Sequence, residues 1–170
     1  MCLAGQEGVL RLNKIELVKS VTVGARSTYV GELTIIPDSF PLLSSLFVSF
    51  ERVKWLALEF FWKPAVGTTE GGLVTYGIDW DRESVTASSR ADIALYAPSH
   101  TNAIWADTAS QPMVLPQSRL MSRAYYTPRS SDNTEQGPGS LVVFVDGPAN
   151  KIVGELWARY SVELSGTRKK

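Results

Sequence analysis

Residues 151–165 read KIVGELWARYSVELS, and this stretch decides the fold. Even positions carry Ile152, Gly154, Leu156, Ala158, Tyr160, Val162 and Leu164, while odd positions carry Lys151, Glu155, Arg159, Ser161 and Glu163. A period of two places one apolar face on a core and one polar face outward. A helix would scatter those charges around its circumference. Val153 and Trp157 interrupt the polar face, which predicts that this face also meets something. Just upstream, residues 140–146, SLVVFVD, are continuously apolar, the pattern of a strand covered on both faces. Asp146-Gly147-Pro148 is a turn signal, so the two strands are expected to form a hairpin.

Working outward, the same alternation recurs in short runs separated by Gly, Pro, Ser, Asn and Asp, the spacing of an all-β sandwich or barrel. Residues 15–23 place Ile15, Leu17, Val21 and Val23 on one face. Residues 28–36 place Tyr29, Leu33 and Ile35 on one face. Residues 51–63 are long and aromatic, and residues 72–80 alternate Val74, Tyr76, Ile78 and Trp80 with Thr75, Gly77 and Asp79. Residues 102–106 and 113–126 are weaker candidates. Between the second and third strands, residues 39–50 have apolar side chains at helical spacing, with Ser39 as cap and Pro41 in the first turn. A second short helix is expected to start near Ser88 or Ser89, with Ile93 and Leu95 as its apolar contacts. Eight strands and one or two helices follow.

Composition bounds the function. The chain has 170 residues, one ordinary domain, with 44% hydrophobic residues and a formal net charge of +0. That balance argues against a free-standing nucleic-acid binder. The single cysteine, Cys2, cannot form an internal disulfide. No apolar run approaches the ~20 residues that span a bilayer, so no membrane partner is expected. A single histidine, His100, in the absence of a Gly-x-Ser-x-Gly turn, a Gly-rich phosphate loop or zinc-ligand spacing, gives catalysis little support.

The order of these elements resembles the eight-stranded antiparallel jelly-roll β-sandwich of viral coats. FERVKWLALEFFWKPAVGTTEGGLVTYGIDWD (residues 50–81) resembles the middle of the shell domain of sobemovirus and tombusvirus coat proteins. A long strand ends in an aromatic and a proline (Trp62, Pro64). A Thr/Gly turn follows, and the next strand closes on Trp80-Asp81. APSHTNAIW, ending at Trp105, and LVVFVDGPANKIVGELWARYSVEL (residues 141–164) continue the likeness, which covers residues 15 to 165.

The resemblance implies a structural protein, present in virions and in host cytoplasm during assembly. It would self-assemble as a homo-oligomer into an icosahedral shell around genomic single-stranded RNA of a plant virus. It implies three segments: 1–14 as the remnant of an N-terminal arm, 15–165 as the shell domain and 166–170 as a basic tail. It also implies Ca²⁺ between subunits, held by acids at the end of the fourth strand. Here Asp79 and Asp81 fit, Glu83 lies one residue early, and Ser84 occupies the third position. Asp146 and Asn150 are further oxygen donors, and a calcium ion needs about six to eight oxygens. The plainer reading is a solvated turn neutralised by Arg82. Phosphate neutralisation needs Lys or Arg gathered on one side. The RNA-facing candidates are Arg11, Lys14, Lys19, Lys54, Arg168, Lys169 and Lys170, with Arg52 and Lys151 as further bases. Trp55, Phe60, Phe61 and Trp62 are read as core and interface rather than base-stacking platforms. One rival is a lectin-like jelly roll binding carbohydrate through Trp80, Asp79 and Asp81. A cupin-type enzyme would need several histidines.

Overall fold

The computed structural model describes residues 2–4 (backbone), 8–81 and 89–167. The expectations placed on Glu83, Arg168, Lys169 and Lys170 lie outside the described residues. The strands are β1 (Cys2–Ala4), β2 (Val9–Val23), β3 (Thr28–Thr34), β4 (Phe50–Pro64), β5 (Leu73–Asp79), β6 (Ser99–Ala103), β7 (Met113–Val114), β8 (Ser140–Asp146) and β9 (Lys151–Thr167). They form two antiparallel sheets packed face to face. One runs β1-β2-β9-β4-β7 and the other β3-β8-β5-β6. This is the expected jelly-roll sandwich. Its helices α1 (Pro41–Phe47) and α2 (Arg90–Ala94) lie between the expected strands, and two short helices, α3 (Gln117–Leu120) and α4 (Asn133–Gln136), add to them.

The expected hairpin is absent. β8 pairs with β3 and β5, and β9 pairs with β2 and β4. The Asp146-Gly147-Pro148 link therefore crosses from one layer to the other. A turn signal marks a reversal of direction and does not say that the flanking strands bond to each other.

β9 keeps its alternation from Gly154 to Leu164, all even positions buried. Below Gly154 the register against β2 shifts, so Val153 is buried and Ile152 is 55% exposed. β4 shifts between Trp55 and Ala57, which lets Val53 and Trp55 share the core with Leu58, Phe60 and Trp62. β2 shifts between Leu17 and Lys19. Before that bulge the core positions are Leu10, Leu12 and Glu16, and after it Val21 and Val23. The expectation that Ile15 and Leu17 face the core is thereby corrected: both lie on the outer face, 44% and 36% exposed. An extra residue flips every side chain beyond it.

The core is aromatic where the layers meet α1. Phe40, Trp55 and Tyr160 stack edge-on and tilted, with ring centroids 5.2–6.3 Å apart. Pro41 occupies the first turn of α1 as expected, but Ser39 does not cap it: its hydroxyl donates to Thr34 O at 2.6 Å. The cap comes from β2, where Glu16 Oε1 accepts the Leu42 N–H at 2.6 Å. α2 is capped by Ser89, which accepts from Asp92 N–H. Ile93 is buried against Val142 on the outer face of the four-stranded sheet, whereas Leu95 is 83% exposed rather than in contact. Gly77 permits this approach, since a Cβ there would lie 3.1–3.2 Å from Ser99, Ile93 and Tyr96.

Candidate functional site

The acidic end of β5 is built by its own backbone and by α2. Asp79 Oδ1 accepts the Asp81 N–H at 3.0 Å, and Oδ2 accepts the Tyr96 hydroxyl at 3.3 Å. Burial, then the Asp79 charge and hydrogen bond and the charges of Asp92 and Glu32, push the Tyr96 phenol above its ordinary pKa. Asp79 is half-buried and Asp81 exposed. Trp80 between them donates its indole N–H to Ala97 O at 2.8 Å and lies 5.9 Å from the Arg119 guanidinium. The indole N–H is thereby committed to the chain's own backbone.

Asp146 and Asn150 stand at the opposite end of the sheet. Leu73 faces Asp146 across the β5–β8 ladder and Asp79 faces Ser140, six residues or roughly 20 Å along the strand. Asn150 adopts a left-handed conformation (φ 57°) in the turn, its N–H donating to Gly24 O. A single copy of the chain therefore cannot gather all these oxygens around one ion. Among the described residues no three His, Cys, Asp or Glu side chains are placed so that they could hold a metal ion together. Asp79 and Asp81 fit a calcium ion in kind, as hard oxygen donors, and fall short in number.

The basic candidates also divide. Arg11 and Lys54 share the outer face of the five-stranded sheet, on either side of Glu163, and Arg11 Nε pairs with its Oε2 at 2.9 Å. Lys14 faces Tyr160 across the ladder and so has the core parity of Leu12 and Glu16, although it is exposed. Lys19 is half-buried, its Nζ 5.9 Å from the Tyr29 ring. The same outer face explains Trp157. Lys63 Nζ sits 4.3 Å from its ring, and Phe61, only 2% exposed, lies beneath Lys63 and Arg159. Arg159 is itself paired with Glu59. Trp55, Phe60 and Trp62 are fully buried. They are core, as read from the sequence.

Sequence reasoning missed a polar cleft of about 400 Å³ beside the start of β4, lined by Arg52, Arg123, Tyr125, Thr127 and Glu135. Arg52 and Tyr125 are far apart in sequence, and no local pattern links them.

A family model described as viral coat protein (S domain) matches residues 5–170. The chain belongs to the viral coat protein S-domain family. The capsid protein of Cucumber necrosis virus is 27% identical over 135 residues, covering 75% of this chain and 33% of the relative. That of Pothos latent virus (isolate Pigeonpea/India) is 27% identical over 128 residues, covering 75% and 34%. The chain thus spans about a third of the length of these curated relatives. Among solved structures, Tobacco necrosis virus superposes with a TM-score of 0.84 at 18% identity, covering 95% of this S domain and 97% of that chain. Cocksfoot mottle virus gives 0.77 at 15% identity, covering 94% and 96%. These two show the fold. The family and the relatives are structural capsid proteins, not enzymes. No helix among the described residues is long and apolar enough to cross a membrane.

Proposed function

We propose that this S domain is the tile of an icosahedral capsid and encloses single-stranded RNA, with the virion as its place of residence and the host cytoplasm as its place of assembly. The observation that carries the reading is the coat-protein family match over residues 5–170. Closed symmetry needs many copies meeting through one set of complementary surfaces. The sandwich offers partly apolar ones: Ile15, Leu17 and Val114 on the outer face of the five-stranded sheet, and Leu95 beyond α2. Calcium belongs to the same proposal. Asp79 and Asp81 supply carboxylates from one subunit, and a neighbour supplies the remaining oxygens, so the ion screens acids that otherwise repel.

Electron microscopy of the purified coat protein tests this. Uniform icosahedral particles containing nuclease-protected RNA are expected. A monodisperse monomer at high concentration, with calcium and RNA present, overturns it.

A further inference from the structure

We propose that Arg52 and Tyr125 form a stacking pocket for one nucleotide of single-stranded RNA, with Lys54 and Arg123 on the flanking phosphates. The proposal rests on the RNA-enclosing reading and gives it a site. Tyr126 is held by two backbone hydrogen bonds with Val53, Val53 N–H to Tyr126 O at 2.9 Å and Tyr126 N–H to Val53 O at 2.8 Å. It is 3% exposed and belongs to the core. In extended chain the next side chain points the other way, and Tyr125 is 44% exposed. Arg52, the neighbour of Val53, lies with its guanidinium 4.3 Å from the Tyr125 ring centroid. The cleft around them holds about 400 Å³.

The charges favour an anion. Among the described residues neither Arg52 nor Lys54 makes an ion pair. Lys54 is two residues along the same strand face, roughly 7 Å away. Arg123 closes the far side, donating to Thr134 Oγ1 at 3.4 Å and lying near Asp132, which caps α4. The one carboxylate lining the cleft, Glu135, accepts the Ser130 hydroxyl at 2.7 Å. A planar guanidinium on a half-open ring, with further cations beside it, suits a base and its phosphates without reading sequence. An acidic peptide would use the cations and leave the ring idle.

The test titrates fluorescent oligouridine against the full-length coat protein over a salt series, with crosslinking of RNA in assembled particles. Tyr125→Ala should weaken binding about tenfold, while Tyr125→Phe leaves it unchanged. Arg52→Gln should lower the slope of log affinity against log salt by about 0.7. Uridine adducts should map to Tyr125. Particles that form and package RNA normally in Tyr125→Ala and Arg52→Gln, with unchanged oligouridine affinity, overturn the pocket while leaving the shell intact. Loss of assembly in these variants with unchanged affinity also overturns it, and assigns the surface to a neighbouring subunit. Failure of the unaltered protein to form particles is a different result and strikes the shell reading.

Discussion

The Tyr160 hydroxyl donates a hydrogen bond to Glu16 Oε2, joining β9 to β2 inside the sandwich. The other carboxylate oxygen takes the Leu42 N–H, so one buried acid ties both strands to α1. Glu16→Ala leaves a buried hydroxyl and a helix N–H without partners, at a cost of about 3 kcal/mol. Tyr160→Phe removes one charged-group hydrogen bond and costs about 2 kcal/mol. Urea unfolding of the variants, read as a shift in midpoint, checks both values.

Titration of Tyr160 and His100 bounds stability at opposite ends of the pH scale. Burial, with the Glu16 hydrogen bond and charge, raises the Tyr160 pKa above its ordinary 10.0. The folded protein holds that proton more tightly than the unfolded chain, so the stabilisation is complete below pH 10 and drains away above it. Tyr160→Phe should show a flatter alkaline limb. Burial lowers the His100 pKa below 6.5. There the unfolded chain binds the proton more tightly, so stability is complete above about pH 6.5 and falls on acidification; His100→Asn should blunt that fall.

Gly154 is the more tightly packed of the two glycines in β9. A Cβ there would lie 2.2 Å from Trp62 Cζ2 and 2.8 Å from Lys63 O. Trp62 has no room to yield: it is fully buried and its indole N–H donates to Ile104 O at 2.9 Å. Gly154→Ala is expected to cost about 3 kcal/mol through overpacking, and to cut the yield of soluble protein. Thermal unfolding alongside Gly67→Ala, whose added Cβ meets nothing within 4 Å, provides the comparison.

Chelation of calcium should swell or loosen particles, because the Asp79 and Asp81 carboxylates lose the cation that screens them from one another and from the neighbouring subunit. Asp81→Asn should make particles indifferent to chelator. Sedimentation unchanged by chelator in the unaltered protein would sink the calcium proposal.

What the sequence disclosed followed the range of the interactions involved. The period of β9 and the continuous run of β8 are local consequences of burial and were readable directly. The face of β2 was not, because the bulge before Lys19 buries Glu16 and exposes Ile15, and a bulge leaves no periodic trace. Residues 113–139 hold two one-turn helices and a single two-residue strand, too short for any pattern to register. The pairing of Asp79 with Asp81 was legible from adjacency. Their separation from Asp146 and the meeting of Arg52 with Tyr125 depend on which strands become neighbours, a property of the whole sandwich.

β9 lies between β2 and β4 in its sheet, and that position has a consequence in time. During synthesis β2 and β4 emerge with no common partner between them. At about 5–20 residues per second, β9 follows the end of β2 by roughly 7–30 s. The sheet stays open until then, whatever follows it on the chain. The ribosome therefore sets the earliest moment at which the five-stranded sheet can close, and a chain still being made lacks the finished outer face of that sheet.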